Sequence, residues 1–220
     1  MSTNFSTSTA QPTRGIFITV EGIEGVGKST QVNFIKSLLE KTNIPHLITR
    51  EPGGTPIAEE IRQVLLAHHA EKMVPDAELL LMFASRAQHL AALILPALNE
   101  GKLVVSDRFT DATYAYQGGG RGIDKTRIAT LEQWVQGMLR PDAVLLLDAP
   151  VTLALSRTKR RKNGPDRFEA EKEEFFERIR EGYLARAKAD AHRYHIIDAS
   201  QSMQAVQQQL ATILENIIHS

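Results

Sequence analysis

Gly22-Ile23-Glu24-Gly25-Val26-Gly27-Lys28-Ser29 meets the pattern G-x-x-x-x-G-K-[ST] at every fixed position. Its surroundings supply the context that such a loop needs. Ile16–Val20 ahead of it is short, apolar and rich in β-branched residues, which reads as a buried strand. Behind it, Val32, Ile35, Leu38 and Leu39 recur at helical spacing. Glycine lets a backbone turn its N–H groups inward around a phosphate, and the following helix N-terminus adds partial positive charge. Lys28 is placed to reach the outer phosphates and the Ser29 hydroxyl to ligate magnesium. A nucleoside triphosphate site is the expectation.

The whole chain narrows the classes further. Its 220 residues suit one large domain, and 26 Lys+Arg balance 26 Asp+Glu, so no net field favours nucleic acid or an anionic membrane. Cysteine is absent, which removes disulfides, thiolate catalysis and zinc-thiolate sites. His46, His68, His69, His89, His192, His195 and His219 show no metal-ligand spacing. No apolar run is read as long enough to span a membrane, and no charged-then-apolar signal segment opens the chain. Residues 1–14, rich in Ser and Thr, are expected to be a flexible tail before a single domain over 15–220. A cytoplasmic protein is expected.

Strand-like runs alternate with longer helical patterns, which predicts an α/β fold with a parallel sheet. Strands are expected at Ile16–Val20, His46–Thr49, Leu103–Val105, Ala143–Leu147 and His195–Ile197. Helices are expected at Lys28–Lys41, Pro56–His68, Asp76–Asn99, Lys125–Gly137, Val151–Arg160, Glu169–Lys188 and Ser202–Ile218. Thr55-Pro56 is a start signal, and Pro96 should kink the longest helix or end it about one turn early.

Parallel strands put their C-terminal ends on one rim, where open α/β sheets bind ligands. Arg50 follows the second strand, Asp107-Arg108 the third, and Asp148 ends the fourth. Guanidinium groups grip phosphate bidentately, so Arg50 and Arg108 could hold a second phosphate facing the loop. That arrangement suits transfer between two nucleotides, for an acceptor phosphate already carries its nucleophilic oxygen at neutral pH and needs no general base. Asp107 could hold magnesium beside Ser29, or brace Arg50 or Arg108. No Asn-Lys-x-Asp is present, against a guanine-reading switch protein.

On the long helix, Leu79, Met82, Phe83, Leu90, Ile94 and Leu98 form an apolar stripe that also contains Arg86. Either a flat base stacks on Phe83 and accepts from Arg86, or the pair is core Phe beside a snorkelling or internally paired Arg. Residues 157–164 carry the densest positive charge, which suits a solvated helix end or a lid closing over phosphates better than a nucleic-acid patch. Tyr114–Gly122 joins polar side chains to a glycine tract expected to be flexible, and a plain connection accounts for it equally well.

Together these segments resemble bacterial thymidylate kinases from about Gly15 onward. The likeness rests on Glu21–Thr30, Thr49-Arg50-Glu51-Pro52-Gly53-Gly54-Thr55, Leu80–His89, Asp107-Arg108-Phe109, Ala115–Gly122, Leu147-Asp148 and Asp166-Arg167-Phe168-Glu169. The resemblance implies a three-layer fold with a five-stranded parallel sheet, and transfer of the ATP γ-phosphoryl group to dTMP with Mg2+. It places ATP on Gly22, Ile23, Glu24, Gly25, Val26, Gly27, Lys28, Ser29, Thr30 and Arg157, the last lying against adenine. It directs Glu24 to the deoxyribose 3′-hydroxyl, Arg50 and Arg108 to the acceptor phosphate, and Phe83 to the thymine face. Arg86 would meet a thymine carbonyl, Thr113 and Gln117 the base edge, and Tyr116 would crowd C2′. Lys28, Arg108 and Arg161, with Arg161 in a basic lid at about 157–167, would act on the transferring group; Arg160 or Lys162 could take the lid role instead. Ser29 and Asp107 are the implied metal residues. A homodimer is also implied, with no nucleic-acid or membrane partner.

Overall fold

The computed structural model describes residues 14–158, 167–168 and 171–219. Five parallel strands form one sheet in the order β2-β3-β1-β4-β5. They are β1 Phe17–Glu21, β2 His46–Arg50, β3 Leu103–Asp107, β4 Ala143–Asp148 and β5 Tyr194–Asp198. Each expected strand is present, four of them running one residue further at the C-terminal end and all of them delivering that end to the same rim. Phe17 pairs in register with Val104 and Ile18 with both Val105 and Ala143, so β1 lies at the centre.

The two-residue repeat of a strand separates the core into layers. Ile18, Val20, Leu103 and Val105 point into one apolar cluster, shared with Ile35 and Leu39 of helix α1 (Lys28–Lys41) and Leu210 and Leu214 of α9 (Met203–His219). Phe17 and Val104 point the other way, into a cluster with Leu90, Ile94, Leu98 and Phe109. Helices therefore cover both faces, giving the expected three layers.

Helix α2 spans Pro56–Leu66, with the Thr55 hydroxyl accepting from the Ala58 amide at 3.4 Å and Pro56 in the first turn. The expected long helix is present but not uniform: α3 covers Pro75–His89, a π-helical turn covers Leu90–Ile94, and α4 covers Leu95–Asn99. Pro96 has no N–H to donate back along the helix, and the chain answers with a widened turn rather than a break. By length and composition Pro75–Asn99 is sufficient to cross a bilayer, contrary to the sequence expectation. Its buried face, however, carries Glu78, Ser85, Arg86 and His89 inside the fold.

The glycine-rich segment differs most from expectation. Helix α5 (Thr110–Thr113) runs directly into a π-helix at Tyr114–Gly120, ahead of α6 (Lys125–Gln136). The glycines serve close packing, not flexibility. A Cβ on Gly119 would stand 2.7 Å from the Arg178 carbonyl oxygen of α8 (Glu173–Ala189). Helix α7 covers Val151–Thr158. Residues 1–13 of the expected tail, and most of the expected lid including Arg160, Arg161 and Lys162, lie outside the described residues. Arg14 itself is anchored, its Nη2 lying 2.6 Å from Asp142 Oδ1.

Candidate active site

The phosphate loop turns through positive φ at Gly22, Gly25 and Gly27, and opens into α1 with no side chain capping the helix N-terminus. Gly25 also has no room for a side chain, since a Cβ there would lie 2.0 Å from the Ala154 carbonyl oxygen. The buried Lys28 folds over the loop and donates from Nζ to the carbonyls of Gly22 (3.0 Å) and Ile23 (2.8 Å). Burial, and then the neighbouring Arg108 charge, lower its pKa to about 8. A bound polyanion would favour the ammonium form again. Ser29 and Thr30 are exposed in the first turn of α1.

A cavity of about 610 Å³ opens beside this loop, lined by Glu24, Gly25, Gly27, Lys28, Ser29, Arg50, Glu51, Arg62, Asp107 and Arg108. The structure thus brings both strand-end arginines to the Lys28 site. Arg50 donates from Nη2 to Glu59 Oε2 at 2.9 Å and from Nη1 to the Pro52 carbonyl at 3.0 Å. Arg108 sits at φ 72°, a left-handed conformation that costs a side-chain-bearing residue on the order of 1–2 kcal/mol. That turn aims its guanidinium at Glu24 Oε1 (2.5 Å) and the hydroxyls of Tyr116 (2.9 Å) and Tyr183 (3.2 Å).

A second cavity, of about 590 Å³, shares Glu24, Glu51, Arg62 and Arg108 with the first. The two form one cleft. Its far wall includes Met82, Arg86, Phe109, Thr113, Tyr116, Gln117 and Phe168. Arg86 is 2% exposed and held on two sides, donating from Nε to Glu51 Oε2 (2.8 Å) and from Nη2 to the Thr113 hydroxyl (3.0 Å). His89 steadies the same carboxylate, its Nδ1 3.1 Å from Glu51 Oε1. Arg86 Nη1 is buried and has no hydrogen-bond partner among the described residues. A buried donor left in that state is costly, so an acceptor on a ligand is its natural complement.

Phe83 needs correcting. Its ring does not line the cavity but packs at 2% exposure with Leu79, Tyr114, Ile123 and Ile128. One residue along a helix is a turn of about 100°, and it is Met82 that faces the cleft. Phe83 instead lies under the Arg86 guanidinium, 4.9 Å from ring centroid to Cζ. The sequence reading of core Phe beside an internally paired Arg therefore describes Phe83, while Arg86 also lines the cleft and keeps one nitrogen without a partner among the described residues. Arg157 lies away from the acceptor wall and donates to the Ala199 carbonyl at 3.0 Å, between the ends of α7 and β5. Arg62, Met82 and Phe109 had drawn no site assignment in the sequence. Arg62 resembles any charge on the solvent side of α2, and nothing in its spacing marks it.

A triphosphate loop and an adjoining half-open cavity that share Glu24, Arg62 and Arg108 at one rim of the sheet define a nucleotide kinase of the phosphate-loop class. The thymidylate kinase family model matches residues 20–210. Relatives include the thymidylate kinases of Pseudomonas putida (strain GB-1), 53% identical, and Pseudomonas fluorescens (strain Pf0-1), 55% identical. In both, 204 residues match, which is 93% of this chain and 97% of the relative. Among solved structures, the crystal structure of thymidylate kinase from Ehrlichia chaffeensis superposes with a TM-score of 0.75 at 32% identity, covering 92% of this chain and 99% of that one. The chain belongs to the thymidylate kinase family, and with it to the ATP-dependent kinases that convert dTMP to dTDP.

Proposed function

We propose that ATP and dTMP meet end to end in the cleft that runs from Lys28 to Arg86, with each residue in the following role. Main-chain amides of Gly22–Ser29 and the start of α1 hold the donor phosphates, and Lys28 moves from the loop carbonyls onto the outer phosphates. Arg157 lies beside the adenine. Arg50 and Arg108 hold the acceptor phosphate, and Glu24, fixed by Arg108, takes the 3′-hydroxyl. Tyr116 fills the space at C2′. Thymine lies between Met82 and Phe109, its carbonyl accepting from Arg86 Nη1 and its edge meeting Thr113 and Gln117.

The acceptor phosphate, with a second pKa of about 6, is already a dianionic nucleophile at neutral pH. Catalysis is then alignment plus neutralisation of charge, and no side chain need remove a proton. Lys28 and Arg108 supply cations from the two sides of the transferring group, and a lid arginine, Arg161 by position, would supply a third. Ser29 and Asp107 offer a hydroxyl and a carboxylate to the same cavity, a donor set of hard oxygens that fits Mg2+. A divalent cation held by those two residues would supply positive charge against the phosphates. We further propose one catalytic domain over residues 15–220, a homodimer and a cytoplasmic location.

The cleft that joins Lys28 and Arg108 to the buried Arg86, whose Nη1 has no hydrogen-bond partner among the described residues, supports the acceptor assignment. A coupled ADP-release assay with dTMP, dUMP, dCMP and AMP tests the reading. dTMP should give the highest kcat/KM of the four. Arg108→Ala should lower dTMP turnover by at least about 10²-fold while ATP binding stays near wild type, since it removes a charge acting chiefly in the transition state. Wild-type turnover in that variant would contradict the assignment.

A further inference from the structure

Gln117 lines the acceptor cavity, yet its amide is not at liberty to turn over. Its Nε2 donates to Glu78 Oε1 at 2.8 Å. Glu78, on α3, is 1% exposed and also receives Arg121 Nε at 3.3 Å and Arg167 Nη1 at 2.6 Å. A carboxylate ion-paired to two guanidinium groups has only acceptor oxygens to offer. The Gln117 amide must therefore give Glu78 its NH₂ group, which leaves Oε1 as the atom for the cavity.

We infer that Glu78 is a positioning residue for base selection, holding Gln117 so that it shows the nucleobase a hydrogen-bond acceptor. Thymine and uracil carry a proton on N3 and can donate to that oxygen. Cytosine has a lone pair on N3, and meets it acceptor to acceptor. The opposite amide orientation would reverse the preference at this atom. Glu78 thus acts on the substrate without touching it. The inference rests on the proposed contact between Gln117 and the base edge.

Glu78→Gln tests it, because a glutamine there can donate its own NH₂ to Gln117 Oε1 and let the amide turn over. The expected result is a fall of about tenfold in the ratio of kcat/KM for dTMP to that for dCMP, roughly what one neutral hydrogen bond is worth. The change should lie mainly in KM for the monophosphate, with KM for ATP unchanged. Glu78→Asp, which keeps an acceptor-only group, should hold the ratio near wild type. Arg86 still favours a carbonyl in both variants, so dTMP should remain preferred. An unchanged ratio in Glu78→Gln, or equal losses on both monophosphates, would overturn the inference. A wild-type enzyme with no preference for dTMP over dCMP would instead sink the acceptor-site reading beneath it. Should Glu78→Gln not fold, NMR on the wild-type protein decides. A through-hydrogen-bond coupling between Gln117 Nε2 and the Glu78 carboxyl carbon is expected with dTMP bound, and its absence refutes the arrangement.

Discussion

At the end of β1, one step before the phosphate loop, the Glu21 carboxyl is sealed from solvent. It accepts from the Phe109 amide at 2.7 Å and from the Tyr183 hydroxyl at 2.9 Å. Burial first, and then the charge of Asp111, raise its pKa from 4.5 to about 8. Between those values the folded chain keeps a proton that the unfolded chain has released, so stability falls as pH rises through the window. Lys28 acts with the opposite sign and on the alkaline side. Its folded pKa of about 8 lies below the ordinary 10.5, so stability recovers as pH rises between them. Glu21→Gln is neutral throughout and should flatten the acid-side slope. Urea midpoints for wild type and variant at about pH 5 and about pH 8 check this, and an unaltered slope would count against a protonated Glu21. None of this was legible in the sequence, where Glu21 reads only as the residue that follows an apolar strand.

Among the elements, legibility followed the strength of the local pattern. Helix α1 begins and ends where its spacing and loop motif place it, at Lys28 and Lys41. The Gly118-Gly119-Gly120 tract went the other way, since glycine's low helix propensity speaks for a loop. What overrides propensity there is contact with α8. Gly119 lets the Arg178 carbonyl approach, and Gly182 on α8 returns the accommodation toward Ala115, where a Cβ would come 3.2 Å from Cα. Gly119→Ala places a methyl against backbone that cannot swing aside. A loss of about 1–3 kcal/mol is expected, as for overpacking elsewhere in protein cores. Denaturant unfolding measures it, and a variant as stable as wild type would mean that the two helices are free to separate.

Across the whole molecule, α2, α3 and α6 pack side by side and leave apolar residues uncovered. Ile57, Val64 and Leu80 are about half exposed, while Trp134 on α6 is 81% exposed and Met138, just past the end of α6, 88%. Large apolar groups concentrated on neighbouring helices mark an association surface. A homodimer buried there is expected, and Trp134→Glu should shift it toward monomer in sedimentation equilibrium. A wild-type protein that sediments as a monomer at micromolar concentration would exclude the surface. The sequence alone determined the triphosphate loop, the strand–helix alternation and the rim on which Arg50, Asp107 and Arg108 gather, because short-range spacing encodes all three. It could not decide which of Met82 and Phe83 faces the cleft, that Arg86 keeps one donor unmet, or that Glu78 holds Gln117. Those depend on how α3 is rotated against the π-helix and the sheet, and that rotation is set by packing between segments far apart in the chain.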